Sequence, residues 1–509
     1  MARKGYVMDF MNALANENSN RKALTENGAV AYATTGKEIL DFNFKLTGYR
    51  NASIDCIKRD FGRVYYENPT NAIRFLFWVG DIREGAGERK VFQAGLTWLA
   101  EKHPEVAKAL IPFVGMYNRF DSLRLLLDTS IRNDVSVYLK KQIQTDAKNA
   151  MTHHPITLCA KWMPSINASS KVTCKYAKML CEDFGWSYAT YRKTLSTLRK
   201  YINIVEFKMS NKQWSQIDYA TVPSKANLIY NNAFLRNDEE RRREYLASLK
   251  KGDTKINAGV LQPHEIVTQY NKPSWWASVK DYDETLEQLW KNLPNMTIEN
   301  TLVVHDSSGS MTSKISGRTS CLDVATALAV FMSEHNTGGW KDKFVTFSSE
   351  PKIVDMTNLH SLHDKLDYIS EMNDYSNTDI YRTMQLILRT AVKNRIPQNE
   401  MPGLICICSD MQFDGRMFNF NSTLFEDISK QYESVGYKMP KICFWNINDR
   451  GEKSIPLKQN DYGLILCSGF SVQIMKMFMS NKLDPYEILL ETINAPRYDA
   501  VANAVSGII

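Results

Sequence analysis

The sequence predicts an α + α/β architecture, in which a long helical region precedes a doubly wound domain built on a parallel sheet. The first observation is helical spacing of apolar residues through residues 35–300. The second is a change of pattern at Pro294, after which short apolar runs alternate with helical segments. We therefore expect two domains, residues 1–295 and residues 296–509.

The helical region consists of amphipathic stretches with polar connections, and several breaks contain proline or glycine. No strict repeat period is visible, but helices of roughly 12–20 residues joined by short turns are typical of an irregular α-solenoid. The clearest helical stretches are Phe75–Val79, Val91–Leu99, Val106–Met116, Leu123–Leu127, Tyr176–Cys181 and Tyr191–Val205.

The second domain shows strand-like runs that alternate with helical segments, as a parallel doubly wound sheet requires. The predicted strands are Thr301–His305, Lys343–Phe347, Leu404–Cys408, Ile442–Trp445 and Gly463–Cys467. The predicted helices between and after them are Leu322–His335, Ile380–Val392, Leu424–Val435 and Val472–Met479.

Charge is distributed unevenly along a chain whose overall composition is ordinary for a globular protein. The chain has 509 residues, 44% of them hydrophobic, and a net charge of +7. Residues 1–300 carry 43 Lys and Arg against 32 Asp and Glu, whereas the remainder carries a net charge of −4. Residues 151–200 alone have a net charge of +6. This asymmetry favours a polyanionic partner for the helical region, although a lysine-rich helical surface would give the same count.

Nine cysteines are scattered along the chain, and no pair has C-x-x-C spacing. Buried free thiols are the expected state, which fits a cytoplasmic protein. We expect no secretory signal and no membrane, because no apolar stretch approaches the ~18–20 residues of a bilayer crossing.

Polar side chains follow two of the predicted strands. The strand Thr301–His305 runs into Asp306-Ser307-Ser308-Gly309-Ser310, and Ser409-Asp410 follows the strand Leu404–Cys408. An apolar strand followed by D-x-S-x-S resembles the entry motif of a von Willebrand factor A domain. The resemblance implies a metal-ion-dependent adhesion site, formed by Asp306, Ser308, Ser310, Thr378 and Asp410.

Elementary coordination chemistry agrees with this assignment. Loops at the carboxyl ends of neighbouring strands converge at the switch point of a doubly wound sheet. Hydroxyl and carboxylate oxygens suit Mg²⁺ or another hard divalent cation. With few direct carboxylates, the ion would retain positive charge and accept an acidic side chain of a protein partner. The alternative for Asp306 alone is a helix N-cap.

Hydrolytic chemistry finds no support in the spacing of residues, so we expect a non-catalytic protein. Gly80 and Gly85 have the spacing of a phosphate loop, but Ala86-Gly87 follows where Lys-Ser/Thr is needed. His305 is the nearest candidate base, and strand alternation points it away from Asp306.

Several segments of the helical region resemble the helical-repeat module of TROVE proteins, the Ro autoantigen family. They include Lys161–Ser165, Tyr191–Lys193, Leu198–Lys200 and Val222–Ser224. Asp81–Arg83 and Gly85–Arg89 are similar to an early helix-linking turn of that module. The C-terminal segments Ser409–Asp414, Phe444–Asn446 and Ser468–Ser471 resemble an uncharacterised branch that joins such helices to a von Willebrand-like domain.

The resemblance implies a HEAT-like, ring-shaped α-solenoid whose metal-site domain closes the ring or docks a partner. It also implies binding of small structured or single-stranded RNA. Lys171, Lys175 and Lys178 would share one helix face and follow a phosphate backbone. The candidate RNA-binding residues are Lys161, Lys171, Lys175, Lys178, Arg192, Lys193, Arg199 and Lys200.

The same segments have alternative interpretations. Trp162, Tyr176, Tyr191 and Tyr201 are either stacking surfaces for bases or core residues of the helices. The Arg241–Arg243 run follows three acidic residues and is interpreted as a solvated helix start. An alternative to RNA binding is a protein-interaction or assembly subunit, including one of a viral particle, whose metal site captures an acidic partner residue.

Overall fold

A computed structural model describes residues 22–24, 30–32, 34–271, 279–348, 350–372, 380–411, 424–448, 464–479 and 484–509. Up to residue 300 the described elements are mostly helices. In chain order they are β1 Lys22–Leu24, β2 Val30–Tyr32, α1 Glu38–Phe44, α2 Ile54–Glu67, α3 Pro69–Gly80, α4 Arg89–Lys102, α5 Pro104–Tyr117, α6 Arg132–Met151, α7 Cys159–Trp162, α8 Lys171–Phe184, α9 Tyr188–Tyr201, α10 Val205–Ser210, α11 Ser224–Asn237, α12 Glu239–Lys251, α13 Pro263–Tyr270 and α14 Glu284–Lys291.

After residue 300 strands and helices alternate, as the sequence predicted. The elements are β3 Thr301–Asp306, β4 Lys314–Ser316, β5 Thr319–Ser320, α15 Cys321–Glu334, β6 Lys343–Phe347, β7 Ile353–Asp355, α16 Leu362–Met372, α17 Ile380–Asn394, β8 Leu404–Ser409, α18 Leu424–Ser434, β9 Lys441–Asn446, β10 Leu464–Ser468, α19 Pro485–Ile493 and α20 Asp499–Val505. The predicted helix Val472–Met479 is a 3-10 helix. Within the described ranges, no helix has both the length and the apolar character needed to cross a bilayer.

Six strands form one sheet in the order β10-β9-β8-β3-β6-β7. All neighbours are parallel except β7, which runs antiparallel to β6 at the edge. This is the doubly wound strand order, with its switch point between β3 and β8. All six residues of both β3 and β8 are buried, as is typical of a parallel sheet covered on two faces.

The chain divides into two compact units, each assembled from separate segments. One unit, which we call the sheet unit, comprises Met1–Ala52 and Leu261–Thr492; the other, the helical unit, comprises Ser53–Val260 and Ile493–Ile509. This division differs from the boundary expected near residue 295, because α13 packs on α15 within the sheet unit. Asn271 and Thr268 hydrogen-bond Asp323 of α15, which fixes that packing.

Residues near the start of the described chain complete the sheet unit. The Asn43 amide of α1 donates to the Leu466 carbonyl of the edge strand β10 at 3.4 Å. The Asn446 amide in β9 donates to the Phe44 carbonyl at 3.0 Å. The first bond occupies a backbone carbonyl of the edge strand, and the second ties the end of α1 to the neighbouring strand β9.

The C-terminal segment completes the helical unit. Helix α20 packs against α3 and α5. The turn between α3 and α4 receives this segment, because the fully buried Asp81 binds Arg497 at 2.5 Å and Tyr498 at 3.2 Å. Gly85 is required in the same turn, since a Cβ there would lie 1.9 Å from the Trp78 carbonyl oxygen.

Candidate functional sites

The first candidate site lies in the sheet unit, at the carboxyl ends of β3 and β8. Asp306 is the last residue of β3 and is fully buried, and Asp410 follows β8 at 2% exposure. One Asp306 carboxylate oxygen accepts the Ser308 backbone N–H at 2.9 Å, and the other accepts the Ser409 hydroxyl at 2.5 Å. The Ser308 and Ser310 hydroxyls lie 3.0 Å apart.

The electrostatics of this site favour a cation. Burial, together with the charge of Asp410, raises the pKa of Asp306 to about 7 despite the hydrogen bonds that it accepts. Two carboxylates brought together away from water repel each other, and a divalent ion between them would remove that repulsion. The available donors are oxygens of carboxylates and hydroxyls, which match the preference of Mg²⁺.

Two further features at this edge of the sheet were not predicted from the sequence. Ser348 follows β6 beside Asp306, and its buried hydroxyl has no hydrogen-bond partner among the residues that the structure describes. Met411, directly after Asp410, has a left-handed backbone with φ of 65°. A non-glycine residue in that region stores strain, as loops at binding sites often do. No motif marked Ser348, and the resemblance that covers Met411 gave it no role.

The remaining predicted residues of this site differ in status. Thr378 lies outside the described residues. His305 points away from Asp306 and hydrogen-bonds the Thr326 hydroxyl of α15 at 3.0 Å, and burial lowers its pKa to about 4. Among the described residues, no three His, Cys, Asp or Glu side chains form a metal-binding group. A metal here would therefore depend on hydroxyl ligands.

The second candidate site lies in the helical unit, on α8. Lys171, Lys175 and Lys178 line one cavity of about 500 Å³ together with Glu182. Lys171 and Lys178 are exposed and form no ion pair with a described residue. Lys175 pairs with Asp128 at 2.8 Å. We call these three side chains the lysine face.

The other predicted cations fall into two groups. Arg192, Lys193 and Lys200 on α9 are exposed, and Lys161 is half-buried over the Trp162 ring at 5.4 Å. Arg199 is different, because its guanidinium donates to the carbonyls of Ala160 and Met163 at 2.8 and 2.7 Å. Those bonds fix the turn after α7, so the Arg199 side chain has a structural role here and we leave it out of the proposed surface.

The aromatic residues of this region are mainly core residues. Tyr176 is 6% and Tyr191 is 1% exposed, and their hydroxyls donate to Asp128 and to the Pro164 carbonyl. Trp162 is half-buried, with the Arg119 guanidinium 3.9 Å from its ring centre. The Tyr201 hydroxyl bonds the His154 carbonyl. Only Trp162 and Tyr201, of these four, retain exposed ring surface.

The chain matches two known sequence families, which meet at residue 300. Residues 300–495 match a domain of unknown function, DUF7788, and residues 25–115 and 182–300 match a second domain of unknown function, DUF2828. Neither description includes an activity.

Two proteins are similar to most of the chain. "Uncharacterized protein L728" of Acanthamoeba polyphaga mimivirus is 28% identical over 512 residues, which span 92% of this chain and 87% of that protein. Among solved structures, the crystal structure of the Deinococcus radiodurans RO (RSR) protein is similar, at 13% identity and a TM-score of 0.44. That similarity covers 84% of this chain and 93% of the Deinococcus chain.

Proposed function

We propose that the chain is a non-catalytic, Ro-like RNA-binding protein whose helical unit holds small structured or single-stranded RNA on the lysine face. The observation that supports this most directly is the convergence of three lysines on one surface cavity. Ammonium groups spaced along one helix can contact successive phosphates of a nucleic acid backbone. The sequence resemblance to the TROVE module lies in the same segment, around residues 161–224.

Exposed cations on the next helix would extend this surface. Arg192, Lys193 and Lys200 form no ion pair with any residue in the described ranges. Their charges are therefore available to a partner, whereas that of Lys175 is partly neutralised by Asp128. We propose an RNA path that begins at the lysine face and continues along α9.

The salt dependence of binding tests this proposal. Replacing Lys171, Lys175 and Lys178 together by Gln should weaken RNA binding. It should also reduce the slope of log affinity against log salt concentration by about 2, because each phosphate contact with a single strand contributes about 0.7 to that slope. The matched control replaces Lys250, Lys251 and Lys255, which are exposed elsewhere in the helical unit. An unchanged slope in the first variant would refute the proposal.

We propose in addition that the sheet unit is a von Willebrand factor A-like domain with a Mg²⁺ site. Asp306, Ser308, Ser310, Thr378 and Asp410 would hold the ion. The doubly wound strand order supports this, because it brings the ends of β3 and β8 together at the switch point. When bound, the ion would supply an open coordination position for an acidic side chain of a partner. The neutral, enclosed His305 is unsuited to serve as a general base there, which supports a binding role.

A second candidate function is an assembly subunit that uses this metal site and binds no RNA. The enclosed Asp306–Asp410 pair favours it, since that pair belongs to the sheet unit and is independent of the lysine face. The absorbance spectrum of protein purified in high salt discriminates between RNA binding and assembly without RNA. A raised ratio of absorbance at 260 and 280 nm, with crosslinked RNA recovered by sequencing, supports RNA binding. Nucleic-acid-free protein that loses a protein partner on chelation supports assembly.

A further inference from the structure

A group of arginines outside the basic window shares a single carboxylate. Asp121 accepts a hydrogen bond from Arg89 at 2.7 Å and a fork of bonds from Arg119 at 3.2 and 2.5 Å. Burial lowers the pKa of Arg89, and the positive charges of Arg119 and Arg124 lower it further, whereas the negative charge of Asp121 raises it. The three guanidinium groups therefore lie close together. We call Arg89, Arg119 and Arg124 the arginine cluster.

The arginine cluster has more positive charge than its surroundings neutralise. Arg124 forms no ion pair with a described residue, and its buried Nε has no hydrogen-bond partner among them. Asp121 therefore balances one of three charges, which leaves about two. The Arg89 and Arg119 side chains are 37% and 33% exposed, so an anion from solvent can reach them.

Aromatic rings connect the arginine cluster to the lysine face. The Arg119 guanidinium lies over the ring of Trp162, an arrangement that holds its donor fork in a fixed plane. The Tyr176 ring has Arg124 at 5.4 Å and Lys175 of the lysine face at 5.2 Å. The cations thus form a continuous series from the arginine cluster to α8.

We propose that the arginine cluster binds a terminal phosphate monoester of the nucleic acid whose backbone follows the lysine face. The inference rests on the proposed RNA-binding function and adds to it a phosphate-monoester site outside the lysine face. A phosphate monoester carries a charge of about −2 at neutral pH, which matches the excess charge of the arginine cluster, whereas an internal phosphodiester carries only one negative charge. The planar guanidinium forks bond two oxygens of one phosphate, which lysines cannot do.

The test compares single-stranded RNA oligonucleotides of one sequence with a 5′-phosphate, a 3′-phosphate, or hydroxyl groups at both ends. One phosphate-ended form should bind about tenfold more tightly than the hydroxyl-ended form, as expected for added charge-assisted hydrogen bonds. Which form binds more tightly identifies the strand end. Equal affinities of all three oligonucleotides would refute the inference.

Arg124→Gln is the informative variant, because Arg124 forms no ion pair within the described part of the chain. It should abolish the preference for phosphate and leave the affinity for the hydroxyl-ended oligonucleotide unchanged. Arg119→Lys keeps the positive charge but loses the paired N–H donors of the guanidinium, so it should lose much of the preference for the phosphate-ended oligonucleotide. This variant replaces Arg124→Gln in the test if Arg124→Gln fails to fold. The control is Arg243→Gln, an exposed arginine that pairs with Glu239 at 2.9 Å, and it should keep the preference.

Two further measurements separate this inference from the proposed function. The triple lysine variant should have the same loss of affinity for all three oligonucleotides. It should still prefer the phosphate-ended form. If no RNA binds, calorimetry with adenosine 5′- or 3′-monophosphate against adenosine tests the arginine cluster directly. Binding of a monophosphate that Arg124→Gln abolishes would support the arginine cluster while the RNA proposal fails, and absence of monophosphate binding would refute the inference.

Discussion

Arg242 lies in the core of the helical unit, although its neighbours in the Arg241–Arg243 run are exposed or half-exposed. The side chain is fully buried, and its guanidinium donates to the amide oxygens of Asn227 at 3.1 Å and Asn231 at 3.4 Å. The rings of Tyr219, Phe234 and Tyr245 surround it at 5.0–5.5 Å. The interpretation of this run as a solvated helix start is therefore wrong for its central residue, because local charge spacing contains no information on which face of α12 packs.

This burial gives a stability prediction. Arg242→Ala should lower the free energy of unfolding by about 3 kcal/mol, because it leaves a cavity and two amide acceptors without their donor. Arg243→Ala, on the exposed side of the same helix, should change it by less than about 0.5 kcal/mol. Urea unfolding monitored by circular dichroism measures both. Equal effects would place Arg242 outside the core.

A pH-dependent prediction concerns Asp306. Its pKa of about 7 in the folded chain lies above the ordinary value of an aspartate, so its contribution to stability is unchanged below about pH 4 and becomes less favourable as the pH rises to about 7. Mg²⁺ should consequently raise the melting temperature by a few degrees at about pH 7.5 and by less at about pH 5. Thermal unfolding with and without Mg²⁺ provides the measurement.

Two variants control that experiment. Asp306→Asn should remove the response to Mg²⁺, whereas Asp281→Asn, which replaces an exposed aspartate of the same unit, should retain it. A response that is the same at both pH values, or that survives in Asp306→Asn, would contradict the metal site.

At the scale of single residues, a recurring motif made part of the candidate metal site predictable. The D-x-S-x-S spacing and the position after β8 identified Asp306, Ser308 and Asp410, which the structure places at neighbouring strand ends. Ser348 escaped prediction, because an isolated serine after a strand has no distinguishing pattern, and Ser409 was noted beside Asp410 but not assigned to the site. Only the strand order shows that β6 and β8 flank β3.

At the scale of elements, the turn between α3 and α4 binds the C-terminal segment through one buried ion pair. Arg497→Ala would leave the fully buried Asp81 carboxylate without its cation, so we expect a loss of about 3 kcal/mol of stability. Asp499→Asn removes the pair between Arg74 and a half-exposed carboxylate that water can replace, and should cost less than about 1 kcal/mol. Urea unfolding compares the two, and similar losses would indicate that Asp81 is solvated.

The elements themselves were largely predictable where apolar runs were long. All five predicted strands are confirmed, since β-branched and aromatic runs between helical segments are a strong local signal. Strand β7 was missed, because only one of its three residues is buried and so short a run shows no alternation. The resemblance to TROVE helices does not by itself establish a solenoid, which stays a prediction.

At the scale of the whole molecule, the two compact units exchange their terminal segments. A boundary near residue 295 follows from the local change of pattern, and the matched families also meet at residue 300. The contacts divide the chain differently, because the described residues of 261–271 and 279–295 pack with the sheet and residues 493–509 with the helices. The unit to which a terminal segment belongs depends on its packing against residues far away in the sequence. Local periodicity contains no information on that packing.

The exchange predicts how fragments behave. Residues 53–260 alone should remain partly unfolded, because the surfaces of α3 and α5 that α20 covers would be exposed. Joining residues 493–509 to that fragment through a flexible linker should restore cooperative unfolding. Circular dichroism and limited proteolysis of the two fragments test this. A stable, cooperatively folding 53–260 fragment would contradict it.

The ion pair between Asp81 and Arg497 also determines when folding can finish during synthesis. These residues are separated by 416 positions, and contacts of such high sequence separation slow folding. The turn after α3 leaves the ribosome first, and its partner emerges only after the residues between them have been translated. At about 5–20 residues per second, the early helices wait tens of seconds with an uncovered apolar face. We expect the nascent chain to depend on chaperones during that interval, until residues 493–509 cover the helices synthesised before them.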